Sequence, residues 1–396
     1  MHLVIMAAGE GSRLRPFTDT TPKPLIQICG KTIIEHNIES IIHEFDEIFM
    51  IVKYKSHCFR EYFWDEYLWK KIHYIEQGER MGTGAAILAL EGHLDGEFIV
   101  ISGDDLYDTS DIIKLKNQQW YATLVKPVDN PELFGIFTRD TNGKATGIIE
   151  KPTDPSIWNL ANIGNHKFNS QIFEILQRIP LSPRWELEIT DLIHIYIREW
   201  LHHVVEATGR WIAIWYPWDL LNANDNIIGN YTETIDKWAI IEPNVTIKWN
   251  IYLEEWVILK SGTYIEWNAY FWKWSIIWPN AYIRGNSSVW KNSKIGSFVE
   301  LKNSYIWNST HIPHLSYIGD SIIGNDTNLW GWSKTANLRH DKKNICVMIK
   351  DKLIDTGRYK LGAIIGDNVH TGINTLIYPG RVIPTNWTTL PWEVIK

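Results

Sequence analysis

From residue 241 the chain places an apolar side chain at every sixth position: Ile241, Ile247, Leu253, Leu259, Ile265, Phe271, Ile277, Ile283, Val289, Ile295 and Leu301, eleven of eleven. The phase then slips by one residue to Ile306, Ile312 and Ile318, and continues less regularly through Ile365, Ile377 and Ile383. Neither the 3.6-residue period of a helix nor the alternation of a half-buried strand repeats in this way. A period of six predicts a β-solenoid, each hexapeptide forming one flat face of a triangular coil with its repeated apolar residue turned inward. We therefore expect a left-handed parallel β-helix over 231–396. Such a prism cannot cover its own flanks, and side-by-side packing of three prisms is the expected remedy, which makes a homotrimer the expected assembly.

Residues 1–230 follow another pattern. Short apolar strands at Leu3 to Ala7, Glu47 to Val52, Glu97 to Ser102, Ala122 to Lys126 and Thr146 to Glu150 alternate with amphipathic stretches at Ile33 to Ile42, Gly84 to Leu90 and Thr190 to Leu201. This is the signature of a layered α/β domain, here Rossmann-like. The stretch 222–238, rich in Asn, Asp, Gly and Thr, reads as a linker or a last helical turn. A chain of 396 residues accommodates these two domains, each large enough for its own core.

Composition excludes several functions. No run approaches a membrane span, and a net charge of −7 gives no general attraction for nucleic acid. The start has no basic n-region, so no signal peptide is expected. Three widely separated cysteines suggest neither a disulfide framework nor a cysteine zinc site and fit a reducing cytoplasm. Tryptophan is anomalous: it occurs 22 times, and Trp249, Trp256, Trp267, Trp274 and Trp278 fall in turn-rich sequence where glycine is the natural residue. We expect many of these to stand where the cell inserts glycine, as happens when UGA is read as glycine and rendered as tryptophan. The alternative is an aromatic surface that stacks on glycans.

After the first strand comes Ala7-Ala8-Gly9-Glu10-Gly11-Ser12-Arg13-Leu14-Arg15-Pro16, then Thr21-Pro22-Lys23-Pro24-Leu25. Two glycines let the backbone turn its N–H groups toward an anion, and Arg13 and Lys23 supply positive charge where a triphosphate would lie. The dinucleotide and Walker patterns are both absent. The run Ala7 to Leu25 resembles the signature of the sugar-1-phosphate nucleotidylyltransferases. Gln77, Gly82-Thr83-Gly84, Gly103-Asp104, Phe134-Gly135, Glu150-Lys151-Pro152, Asn162-Ile163-Gly164 and Trp211 to Asp219 resemble the same family in the same order.

The resemblance implies a nucleotidyltransferase domain in which Ala7, Ala8, Gly9, Gly11, Gln77, Gly82 and Thr83 bind a pyrimidine nucleotide, UTP or dTTP. By the same resemblance Arg13 and Lys23 are catalytic, Asp104 binds Mg²⁺, and Gly135, Glu150, Lys151 and Asn162 contact the sugar phosphate. Attack of one phosphate anion on the α-phosphorus of another needs charge neutralisation and alignment, which this set supplies without a covalent nucleophile. One position departs from the family: Ala213 stands where an aspartate or asparagine usually completes the metal site. An alanine cannot coordinate, which leaves three alternatives: the metal rests on Asp104, the NTP phosphates and water, Asp105 compensates, or uridylyl transfer is weak.

Within the solenoid, His311-Ile312-Pro313-His314-Leu315-Ser316-Tyr317-Ile318-Gly319-Asp320 interrupts the repeat with polar residues, and Asn328 to Asp341 follows with Thr335-Ala336-Asn337-Leu338-Arg339-His340-Asp341. These runs resemble the acetyltransferase half of the bifunctional N-acetylglucosamine-1-phosphate uridylyltransferases, archaeal types included. The resemblance implies His314 as general base, Arg284 and Lys302 on the phosphate of glucosamine 1-phosphate, Tyr317 and Asn328 on the sugar, Lys343 reaching in from an extended loop, and backbone near Gly331 meeting acetyl-CoA. The amine of an amino sugar is largely protonated near neutral pH, so its acylation calls for a base of the imidazole kind and for cations that offset the phosphate. The basic insertion Asn337 to Leu361 is expected to reach a neighbouring subunit and the phosphates of coenzyme A. The product, N-acetylglucosamine 1-phosphate, is then the substrate of the first domain. A single-activity glucose- or mannose-1-phosphate nucleotidylyltransferase and a nucleotide-sugar-sensing subunit are the competing expectations.

Overall fold

The computed structural model describes residues 1–154, 158–199 and 201–396. They form two compact units: Met1–Glu10, Pro22–Leu25 and Thr32–Ala213 make the first, and Gly11–Thr21, Ile26–Lys31 and Ile214–Lys396 the second. Two short N-terminal segments and the stretch from Ile214 go with the solenoid.

The first unit is built on a mixed ten-stranded sheet. Its main path runs Ala145–Glu150, Gly135–Arg139, Leu160–Asn169, Glu97–Ser102, His2–Ala7, Ile48–Val52, Lys70–Glu76, Glu66–Tyr67, with Tyr121–Pro127 joining Leu160–Asn169 to His202–Glu206. His2–Ala7 lies parallel to both Ile48–Val52 and Glu97–Ser102. All five residues of Ile48–Val52 are buried, which explains why these central strands read as unbroken apolar runs: helices cover both faces. The antiparallel strand Leu160–Asn169 against Glu97–Ser102 ends the parallel part. The helix expected over 190–201 spans Ile189–Arg198, and residue 200 lies outside the described residues.

The second unit is the left-handed β-helix. Three parallel sheets of eight, seven and eight strands form its faces. The six-residue period becomes an eighteen-residue coil: Ile247 pairs with Ile265, Ile265 with Ile283, and Ile283 with Leu301. The slip after Leu301 is one residue shorter on every face, so Val289 pairs with Ile306, Ile295 with Ile312 and Leu301 with Ile318. The recurring side chains form one continuous core from Ile251 to Ile383. Ile241 is the exception, left exposed at the open first coil. Buried hydroxyls tie successive coils: Thr310 N–H donates to Ser293 Oγ at 3.0 Å, and Thr310 Oγ1 donates to the Gly324 carbonyl at 2.6 Å.

The stretch read as a linker or a last helical turn opens within the helix Asp219–Gly229. Leu220, Leu221, Ala223, Asn224, Ile227 and Ile228 are buried along one face, and the Asn and Asp residues that suggested a loop include those on its outer side.

Candidate active sites

In parallel sheets of this kind ligands bind beyond the carboxyl ends of the strands. Those ends place the expected residues of the first unit: Ala7 closes the first strand and Ala8-Gly9 follows, Gln77 follows Lys70–Glu76, and Gly103-Asp104 follows Glu97–Ser102. Gly103 N–H donates to the Met6 carbonyl at 3.0 Å, and a Cβ there would stand 2.9 Å from that oxygen, so only glycine permits this approach. Gly82, at φ 106°, opens the turn into Thr83–Leu88, where a Cβ would sit 2.3 Å from the Leu187 carbonyl oxygen. Thr83 Oγ1 accepts from Ile189 N–H at 3.1 Å, and Gln77 Nε2 donates to the Arg80 carbonyl at 3.0 Å. In the second unit Gly11 takes the left-handed conformation, φ 63°, and caps the turn Ser12–Leu14 that carries the exposed Arg13.

Lys23 and Asp104 meet directly. Lys23 Nζ is 2.7 Å from Asp104 Oδ2 and 3.5 Å from Asp105 Oδ1. Burial opposes charge on Asp104, but Lys23 and the Ser102 hydroxyl outweigh it and hold the carboxyl below the usual range. Burial likewise works against the Lys23 ammonium, and the two carboxylates overcome it, raising its pKa. The Asp104 side chain is 43% exposed whereas that of Asp105 is 10%, and Trp211 Nε1 donates to Asp105 Oδ2 at 3.2 Å. Asp105 is thus engaged by Lys23 and Trp211. Among the described residues no group of three or more metal-ligating side chains is assembled. A single accessible carboxylate fits Mg²⁺, which keeps several waters and takes further oxygens from substrate phosphates.

Gly135, Glu150, Lys151 and Asn162 come together on neighbouring strands. Gly135 is opposite Glu150, a Gly135 Cβ would lie 3.0 Å from Glu150 Oε2, and Lys151 N–H donates to the Phe134 carbonyl at 2.8 Å. Ile136 pairs with Ala161, next to Asn162, whose Oδ1 accepts from Gly164 N–H at 2.9 Å.

The second cluster wraps a corner of the β-helix. Arg284 and Lys302 are register partners on one face, and Tyr317 lies one coil on, opposite Glu300. His314 ends the strand His311–His314 of the adjacent face, exposed, and the chain reaches Tyr317 by turning at Leu315, φ 49°. Asn328 pairs with His311 on the His314 face. Gly331 is within van der Waals contact of His314, its ideal Cβ position 3.7 Å from the histidine Cβ. The cations are not loose: Arg284 Nε donates to Glu300 Oε1 at 2.7 Å, and Lys302 Nζ lies 2.6 Å from Asp320 Oδ2. Asn303 Nδ2 donates to Asp320 Oδ1 at 2.9 Å, and Asn337 Nδ2 donates to the Tyr317 hydroxyl at 3.1 Å. The sequence reading gave these acids and amides no role, although Gly319-Asp320 closes the interrupted repeat and Asn337 stands in the run that follows it.

The basic insertion folds back on its own chain as the hairpin Cys346–Ile349 and Lys352–Asp355. Arg339 pairs with Asp341 at 2.7 Å, and Arg358 Nη1 donates to Asn222 Oδ1 at 2.6 Å, so these two cations have partners within the subunit. Lys343 is exposed. A cavity of about 480 Å³ opens beside the insertion, lined by Ala336, Leu338, Arg339, Tyr378 and Arg381 among others.

The sequence model of the nucleotidyl transferase family matches residues 2–229, more than half of the chain, and that of the GMPPB C-terminal domain matches 265–389. The bifunctional protein GlmU of Methanocaldococcus jannaschii is 42% identical over 388 residues, covering 98% of this chain and 92% of its own. The chain belongs to the bifunctional GlmU family. As a GlmU-family enzyme it is a nucleotidyltransferase, and its likeness extends across the β-helix. A bifunctional sugar-1-phosphate nucleotidylyltransferase/acetyltransferase of Sulfurisphaera tokodaii is 40% identical, covering 100% of this chain and 97% of its own. A glucose-1-phosphate thymidylyltransferase structure from Bacillus anthracis, bound to sucrose, superposes with TM-score 0.53 at 25% identity over 59% of this chain and 98% of its own.

Proposed function

We propose that this GlmU-family enzyme makes UDP-N-acetylglucosamine in two steps: acetyl transfer from acetyl-CoA to glucosamine 1-phosphate, then coupling of N-acetylglucosamine 1-phosphate to UTP with release of pyrophosphate. The observation that carries this reading is the gathering of His314, Arg284, Lys302 and Tyr317 at one β-helix corner in a chain similar to bifunctional relatives along nearly its whole length.

At the corner, His314 takes the proton from the sugar amine as its nitrogen attacks the thioester carbonyl, and the coenzyme A thiolate leaves. Arg284, Lys302 and Lys343 offset the phosphate dianion, and backbone beside Gly331 meets the developing oxyanion. The cavity lined by Arg339, Tyr378 and Arg381 has the cationic and aromatic walls suited to the nucleotide end of acetyl-CoA. In the first unit, Lys23 is held against Asp104 until a triphosphate arrives and exchanges with it; Lys23 then holds the phosphates, while Gly135, Glu150, Lys151 and Asn162 align the attacking sugar phosphate. Mg²⁺ bound through Asp104 would neutralise phosphate charge.

We further read the assembly as a trimer in the cytoplasm. Met348, Leu353 and Tyr359, exposed on and beside the insertion hairpin, suit burial against a second copy. No described helix is long and apolar enough to cross a membrane. Purified enzyme given each substrate set separately tests the reading: free thiol from acetyl-CoA and pyrophosphate from UTP support both steps, pyrophosphate alone supports a single-activity nucleotidylyltransferase, and neither supports a sensor.

A further inference from the structure

The corners of the β-helix impose one backbone conformation on whatever residue occupies them. Three residues before each paired core position on one edge stand Trp256, Trp274, Asn292, Ser309, Asp326, Asn368 and Asn386, all with φ between 52° and 62°. On another edge stand Asn244, Gly262, Asn280, Phe298, Leu315, Trp332, Asn374 and Trp392, all with φ between 49° and 79°. This is the left-handed region, reached readily by Gly, less so by Asn or Asp, and with strain by other residues. Asn, Asp, Gly or Ser fills nine of the fifteen corners, and tryptophan fills four of the other six.

The same conflict occurs in the first unit. Trp64 ends the helix Ser56–Phe63 at φ 58°, ψ −152°, a region essentially reserved for glycine, and its indole is 75% exposed. Trp69 at φ 67° and Trp185 at φ 61° are 91% and 80% exposed. Strain at these sites is therefore not offset by burial of the ring. A glycan-stacking surface needs exposed rings but has no need of left-handed backbone beneath them.

Two other tryptophans behave as the residue should. Trp211 donates its Nε1 hydrogen to Asp105, and Trp218 is buried and stacked on Tyr216 with centroids 4.7 Å apart. Neither has a positive φ.

We infer that the chain carries two populations of tryptophan, and that Trp64, Trp69, Trp185, Trp256, Trp274, Trp332 and Trp392 are glycines in the protein its own cells make, inserted at a codon that this sequence renders as tryptophan. The consequence for chemistry lies at Trp332. Its backbone N–H donates to the His314 carbonyl at 3.2 Å, so its main chain lies beside the residue proposed as general base, and a glycine there takes an exposed indole away from that neighbourhood. This last step rests on the function proposed above; the assignment of the seven glycines does not.

The test is peptide mapping by mass spectrometry of the protein purified from its source cells, alongside the codons of its gene. The expected result is glycine at the seven positions, each encoded by UGA, with tryptophan at 211 and 218, each encoded by UGG. Indole-bearing peptides at 64 and 332, or UGG codons there, would overturn the inference. A second measurement compares the printed sequence with its Trp64→Gly and Trp332→Gly variants, made recombinantly. Trp64→Gly is expected to raise the melting temperature by a few degrees without changing pyrophosphate release. Trp332→Gly is expected to raise the rate of thiol release at least tenfold; unchanged thermal stability and thiol release in both variants would count against the inference. Glycine found at the seven positions in a protein that releases no thiol would leave the decoding intact and remove the acetyltransferase.

Discussion

Lys302 Nζ lies 2.6 Å from the carboxylate of Asp320, whose side chain is only 5% exposed, one coil along the β-helix. The coil-to-coil register produces this pairing: Lys302 is opposite Gly319, and the next residue is the acid. Lys302→Ala leaves that buried acid without its cation. Because Asn303 and Asn337 still donate to Asp320, the loss should fall near the low end for a broken buried pair, about 3 kcal/mol. Urea unfolding checks the stability, and a higher KM for glucosamine 1-phosphate checks the role.

His314→Asn should lower thiol release from acetyl-CoA by about 10²- to 10⁴-fold, the usual contribution of a positioned general base. Pyrophosphate release supplied with N-acetylglucosamine 1-phosphate and UTP should be unchanged. Equal loss of both rates would mean that the substitution disturbs the whole chain.

Ala213→Asp offers a further carboxylate next to Ile212, which pairs with Leu106 just beyond Asp104-Asp105. The expected outcome is pyrophosphate release that saturates at a lower Mg²⁺ concentration than in the unsubstituted enzyme. An unchanged Mg²⁺ titration would show that this position does not govern metal use.

The buried pair His166 and His202, both donor or acceptor to Thr123 Oγ1 at 2.8 Å, sets an acid limit for the first unit. Burial depresses each to about 3 in the fold, against about 6.5 when unfolded. The unfolded chain therefore binds more protons between these values, and stability falls as pH drops from about 6.5 toward 3, by up to about 1.4 kcal/mol per pH unit for each histidine. Denaturant midpoints at pH 7 and pH 5 should differ accordingly, and replacing His202 with Gln should shrink the difference.

The β-helix was legible because its core uses one residue in six without exception over eleven positions, and even the one-residue slip after Leu301 is a structural fact of the coils. The strand-end residues of the first unit were legible because glycine and charge follow each apolar run. Three things were not. Asp219–Gly229 presents Asn and Asp among its buried aliphatics, so the composition of 222–238 left a linker and a last helical turn undecided, and its full length and start at Asp219 went unread. Asp105 looked available beside Asp104, yet Trp211, a hundred residues away in sequence, occupies it. Glu300 and Asp320 anchor the cations across coils, with Asn337 donating to Asp320, and contacts between coils depend on register, which a single strand's sequence does not display.

The most direct measurement supplies glucosamine 1-phosphate, acetyl-CoA and UTP together to enzyme made from correctly decoded DNA and identifies the sugar nucleotide by NMR. The predicted result is UDP-N-acetylglucosamine, formed with one free thiol and one pyrophosphate for each molecule. Formation of an unacetylated UDP-sugar with no thiol released, or of no sugar nucleotide at all, would contradict it.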